Sequence, residues 1–226
     1  MRHNRAVLAG LVLGLSGTAA SAQAVKCPDG KPADGRERAG DARGCLVIRT
    51  LAPAQASPRI TPKVLIVFLH GDSGGRTELK ADSGTAALLA EKLQAVTIAM
   101  QRPGYRSDLG TSDGESGAGD DDYTPRNAEI IATALGNLRG LNPGKKILLI
   151  GHSGGAAMAA LLASRFPGSA DAHLLAACPC DVPAWRQWRA SSAGKTGRWS
   201  SLSPLAEAAK TRPDTLIRVV VGNKDE

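Results

Sequence analysis

This sequence predicts an α/β fold: a mostly parallel, doubly wound sheet with helices on both faces. Three observations carry that expectation. Short apolar runs recur along the chain, and the continuous one, KVLIVFL at 63–69, reads as a strand buried on both faces, the pattern of a parallel sheet. Stretches with helical periodicity lie between the runs, so strand and helix alternate along the chain. Finally, KILLI at 146–150 leads straight into Gly151-His152-Ser153-Gly154-Gly155 and then an alanine-rich stretch, a strand, a sharp turn and a helix.

The elements follow in order. Met1-Arg2-His3-Asn4-Arg5, an apolar run from 6 to 15 and small residues ending Ala20-Ser21-Ala22-Gln23-Ala24 read as a secretory signal peptide, cleaved after Ala22 or Ala24. The run is too short to span a bilayer, which needs about 20 residues. Residues 25–226 then form one domain, long enough for a real core. Export permits disulfides. Cys27 and Cys45 flank a polar N-terminal segment that a bridge would tie to the first strand at 46–49, and Cys178-Pro179-Cys180 is placed for a tight local bridge. Three pairings of four cysteines remain open, and no ligands stand at metal-binding spacing.

A strand at 63–69 precedes a helix at 84–93 with Leu88, Leu89 and Leu93 on one side, and a strand at 95–100 follows. The Gly, Ser and Asp-rich stretch 101–123 is a long loop, the kind that carries function. Its Asp113, Asp120, Asp121 and Asp122 read as a solvated acidic patch rather than a metal site. Thr124-Pro125 opens the next helix as cap and first position, and Gly140 and Pro143 end it. After the strand at 147–150 and its helix, a strand at 173–177 leads into an excursion, 181–213, holding Trp185, Trp188 and Trp199. The tryptophans are expected to pack a small cap over the site. The strand at 216–221 is the last.

Formal charge is +7, or +5 without Arg2 and Arg5. The cations look scattered along the chain, with no aromatic-interleaved basic stripe, which points away from nucleic acid.

The chemistry centres on Ser153. A strained strand-to-helix turn pushes its hydroxyl out above the sheet, and the glycines on either side let strand and helix approach. A serine nucleophile needs a base, an acid that orients the base, and N–H donors for the oxyanion. The Gly154 N–H comes with the turn. A second donor, Asp72, is expected from His70-Gly71-Asp72-Ser73-Gly74-Gly75 after the buried strand.

With these residues in view the chain resembles the α/β-hydrolase superfamily. Phe68-Leu69-His70-Gly71-Asp72 resembles its oxyanion loop, and Gln101-Arg102-Pro103-Gly104-Tyr105 a segment many members carry after the following strand. Gly151–Gly155 is similar to the nucleophile elbow, and Val221-Gly222-Asn223-Lys224-Asp225-Glu226 to the turn that supplies the acid. The nearest likeness is to secreted prolyl-oligopeptidase-like and dienelactone-hydrolase-like members. The resemblance implies a periplasmic or secreted serine hydrolase that cleaves a small ester or amide through an acyl-enzyme and needs no cofactor. Ser153 is then the nucleophile and Asp225 the acid, with Asp181 its rival.

The family order is serine, acid, histidine, yet His3, His70, His152 and His173 all precede Asp225. The expectation is therefore a C-terminally truncated chain, lacking a last strand, a helix and the catalytic histidine, and nearly inactive as it stands. A noncatalytic binding module or pseudoenzyme on the same fold is the alternative.

Overall fold

The computed structural model describes residues 25–54, 63–73, 79–115 and 122–223. The expected signal peptide, Asp120, Asp121 and Asp225 lie outside them.

Seven strands form one sheet in the order β1-β2-β4-β3-β7-β8-β9. They are β1 (Arg38–Asp41), β2 (Gly44–Leu51), β3 (Val64–Leu69), β4 (Thr97–Met100), β7 (Lys146–His152), β8 (Ala172–Ala176) and β9 (Leu216–Val220). The five from β4 to β9 run parallel. β2 joins β4 antiparallel, and β1 folds back on β2. Two-residue strands β5 (Arg106–Ser107) and β6 (Gly110–Thr111) pair within the long loop.

Alternation along β3 sorts its side chains onto two faces. Leu65, Val67 and Leu69 join a large cluster with Ile130, Ile131, Leu135 and Leu138 of α2 (Pro125–Leu141) and Met158, Leu161 and Leu162 of α3 (Gly154–Arg165). Ile66 and Phe68 face the other way, with Ala86 of α1 (Leu79–Leu93). Helices therefore cover both faces, as the buried runs implied.

At α1, Leu88 and Leu93 are exposed, whereas Ala86 and Ala90 are buried. Leu89 is partly buried against the same cluster as Ala86, so one of the three leucines packs inward and small side chains fill the rest of the contact. Thr124 caps α2 as expected, accepting from the Asn127 N–H at 3.1 Å with Pro125 in the first turn.

Cys27 is bridged to Cys45 and Cys178 to Cys180. The first bridge ties the N-terminal segment to β2. β9 is an edge: Leu216, Val219 and Val220 are 63, 60 and 53% exposed.

The parallel register sets up the site. Leu69 pairs with Met100 on one side and Gly151 on the other, and His152 pairs with Ala176. The strands thus end level, and the loops after β3, β4, β7 and β8 emerge along one edge, where parallel sheets place ligands.

Candidate active site

Ser153 joins β7 to α3 at φ 51°, ψ −119°. That left-handed backbone is a strained one for a residue with a Cβ. Its N–H is tied to the Ala176 carbonyl at 2.8 Å. The glycines two away on each side are sterically required. A Cβ on Gly151 would collide with the Gly155 backbone, and one on Gly155 with the Leu69 carbonyl.

The loop after β3 meets this turn. A Cβ built on Gly71 would stand 3.1 Å from the Ser153 Cβ. A Cβ on Gly154 would run into the Asp72 carboxylate, the Tyr123 hydroxyl and the Arg102 guanidinium. Ser153, Gly71, Asp72 and Gly154 thus share one spot at the carboxyl edge of the sheet. The first N–H groups of α3 have no intrahelical acceptor and face the positive end of the helix dipole, a setting that favours an anion.

Beneath the turn lies a buried polar network that the sequence did not announce. The Asp72 carboxylate accepts from Arg102 Nη1 at 2.8 Å, Arg186 Nη2 at 2.8 Å and the Tyr123 hydroxyl at 2.8 and 2.9 Å. Arg102 is fully buried, and its Nη2 donates to Asp122 at 2.6 Å. Arg102 also lies 5.1 Å from the ring centres of both Tyr105 and Tyr123. Asp122 is therefore no member of a solvated patch. It is 2% exposed and paired, because the fully buried Arg102 brings a charge that must be matched. Asp113 accepts from the Cys45 N–H at 2.8 Å and helps close the same loop. Among the described residues no cluster of three or more His, Cys, Asp or Glu could hold a metal.

Two carboxylates share Arg102, and their environments separate them. Burial raises the Asp72 carboxyl, but Arg102, Tyr123 and Arg186 outweigh it and hold the group below its usual range. Burial, with the Asp72 charge beside it, pushes Asp122 up to about 6 against the pull of Arg102. Burial also raises the Tyr123 phenol, so it stays a neutral donor.

The histidines divide clearly. His70 Nε2 accepts from the Arg102 N–H at 3.0 Å, so Nδ1 carries the proton and donates to the Gly71 carbonyl at 2.7 Å. Both ring nitrogens are spent on shaping the loop. His173 is 3% exposed on β8, and burial lowers its affinity for a proton. His152 is exposed at the end of β7.

Asp181 caps the helix α4 (Val182–Ser192), accepting from the Ala184 N–H at 3.3 Å. That is a capping role. Of the tryptophans, Trp188 departs from the expected core at 63% exposed, while Trp185 and Trp199 are half-buried; Val182 and Arg186 are the α4 side chains that turn inward. Arg102 stands in the Arg-Pro-Gly-Tyr segment that the sequence singled out without a role. Tyr123, Asp122 and Arg186 had no local signal.

Comparison with known proteins agrees with this architecture. No curated protein matches the chain. Among solved structures it is similar to an esterase of Pyrococcus furiosus (12% identity, 83% of this chain and 80% of that one, TM-score 0.57). It is also similar to a serine hydrolase homologue from Coxiella burnetii (16%, 82% and 86%, TM-score 0.50). A third is Est1E from Butyrivibrio proteoclasticus, solved with ferulic acid (19%, 66% and 55%, TM-score 0.51). The chain spans about half the length of Est1E and of a proline iminopeptidase from Mycobacterium smegmatis, 55% and 47%. At these identities the likeness is one of fold. The family model for the alpha/beta hydrolase family matches residues 66–222, which takes in β3, the network and the Ser153 turn. The chain belongs to the alpha/beta hydrolase family.

Proposed function

We propose that the protein is a serine hydrolase that cleaves an ester or amide through an acyl-enzyme, with Ser153 as nucleophile. The observation that carries this reading is the backbone of Ser153. A positive φ on a non-glycine residue costs about 1–3 kcal/mol and persists where function needs it, and here it presents a hydroxyl beside Gly71 and the first turn of α3. The Asp72 and Gly154 N–H groups serve as oxyanion donors, each worth about 3–4 kcal/mol in such sites. Asp225 orients the histidine base. No cofactor enters this chemistry. Substrate is a small ester or amide, and the place of action is the periplasm or the exterior, in keeping with the basic and apolar N-terminal run.

Hydrolysis of an activated ester tests the reading. The assay compares the full natural protein with its Ser153→Ala variant. The parent should be active and Ser153→Ala inactive. Activity that survives Ser153→Ala would remove Ser153 as nucleophile and leave the noncatalytic reading standing for this site.

A further inference from the structure

The excursion between β8 and β9 differs in character from the rest of the molecule. Residues 177–215 hold six Lys or Arg against three acids, a net +3, while the other 187 residues carry 22 against 18, a net +4. Of the acids, Asp181 caps α4, Glu207 is spent on Arg165 at 2.7 Å and Lys210 at 3.2 Å, and Asp214 pairs with Arg212 at 2.9 Å. Arg186 turns inward to Asp72. Arg189, Lys195 and Arg198 face out, exposed, on a stretch, 182–206, that carries no acid at all, whereas Lys210 and Arg212 each have a carboxylate partner.

The same excursion turns apolar groups outward. Trp188 is 63% exposed and Leu205 is 62% exposed. Trp185 is half-buried, and the Arg186 and Arg189 guanidinium groups lie 4.8 and 5.2 Å from its ring centre. Arg189 is thereby held on an aromatic face at the helix surface. The excursion borders the candidate active site, since Arg186 anchors α4 to Asp72 and the Leu202 N–H donates to the Tyr123 carbonyl at 2.9 Å.

Cations alone would suit any polyanion. An exposed tryptophan and leucine among them fit one environment better: the headgroup layer of an anionic bilayer, where indole rings sit at the polar boundary and guanidinium and ammonium groups meet phosphates. Among the described residues no helix is long and apolar enough to cross a membrane, so contact would be peripheral. We propose that residues 182–213 are a docking surface for an anionic lipid bilayer, placed so that the mouth of the site faces the membrane. This surface stands or falls independently of the chemistry of Ser153.

Co-sedimentation with vesicles of phosphatidylglycerol and phosphatidylcholine, against phosphatidylcholine alone, tests it. Binding should need the anionic lipid and weaken as salt rises. Arg189→Gln with Arg198→Gln should lose about 25-fold, about fivefold for each cation. Trp188→Ala should lose several-fold at unchanged charge. Lys26→Gln with Lys63→Gln, exposed cations outside the excursion, should bind as the parent does, and so should Ser153→Ala. Thermal melts of each variant separate lost binding from lost folding. Absent binding, equal binding to neutral vesicles, or equal losses in the Lys26/Lys63 control would overturn the proposal. So would binding to a single-stranded oligonucleotide or polyphosphate as tight as to vesicles and indifferent to Trp188→Ala, which would assign the surface to a soluble polyanion.

Discussion

Ser153→Gly should make the protein more stable while abolishing hydrolysis. At φ 51°, ψ −119° the serine Cβ is held in a backbone region that L-residues avoid. The strain costs about 1–3 kcal/mol. Glycine removes it, but gives back about 0.4–1 kcal/mol through the greater freedom of the unfolded chain. The net gain is about 1 kcal/mol, which for a domain of this size raises Tm by about 2–4 °C. Ser153→Ala is the control, because it keeps the Cβ and its strain while losing the hydroxyl. The assay is urea unfolding of parent, alanine and glycine variants side by side, with ester hydrolysis in parallel. Glycine should stand above alanine, and alanine should match the parent. If glycine is no more stable than alanine, the turn is unstrained and the backbone argument for Ser153 fails.

Three further outcomes follow from the network and the sheet edge. Arg102→Met leaves Asp72 and Asp122 buried without their shared cation and should cost about 3–5 kcal/mol at pH 7; urea midpoints should show a smaller loss at pH 5, where Asp122 takes up a proton. The Asp122 carboxyl is raised to about 6 in the folded state from about 3.9 unfolded, so its contribution is full below pH 4 and is lost as pH rises through 6. Relative to Asp122→Asn, the parent should therefore lose about 2 kcal/mol between pH 4 and pH 7, whereas Asp72, shifted the other way, acts below that window; parallel slopes of Tm against pH would refute this. Val219→Lys, on an edge strand whose Val219 is 60% exposed, should reduce light scattering at matched concentration with Tm unchanged, because a charge on an open edge discourages strand pairing.

β3 was legible because burial on both faces leaves an unbroken apolar run, and the Ser153 turn because its glycines are sterically required. β1 was not legible: Arg-Ala-Gly-Asp has no strand pattern of its own, and pairing with β2 supplies the order. The buried face of α1 went to Ala86 and Ala90, since close approach to a sheet rewards small side chains over leucine spacing. The Asp72 network draws on four separate segments. Arg186 meets Asp72 across 114 residues, and no local pattern encodes such a pairing. The acid-free basic stretch 182–206 was readable all along. Charge counted over the whole chain hid it, while charge counted per element shows it.

The central claim is that Ser153 is the nucleophile. The most direct test reacts the full natural protein with a fluorophosphonate that phosphonylates activated serines, then maps the adduct by peptide mass. The account predicts one adduct, on Ser153, with hydrolysis lost in step with labelling. Hydrolysis accompanied by an adduct on another residue, or undiminished after Ser153 is fully labelled, would contradict it.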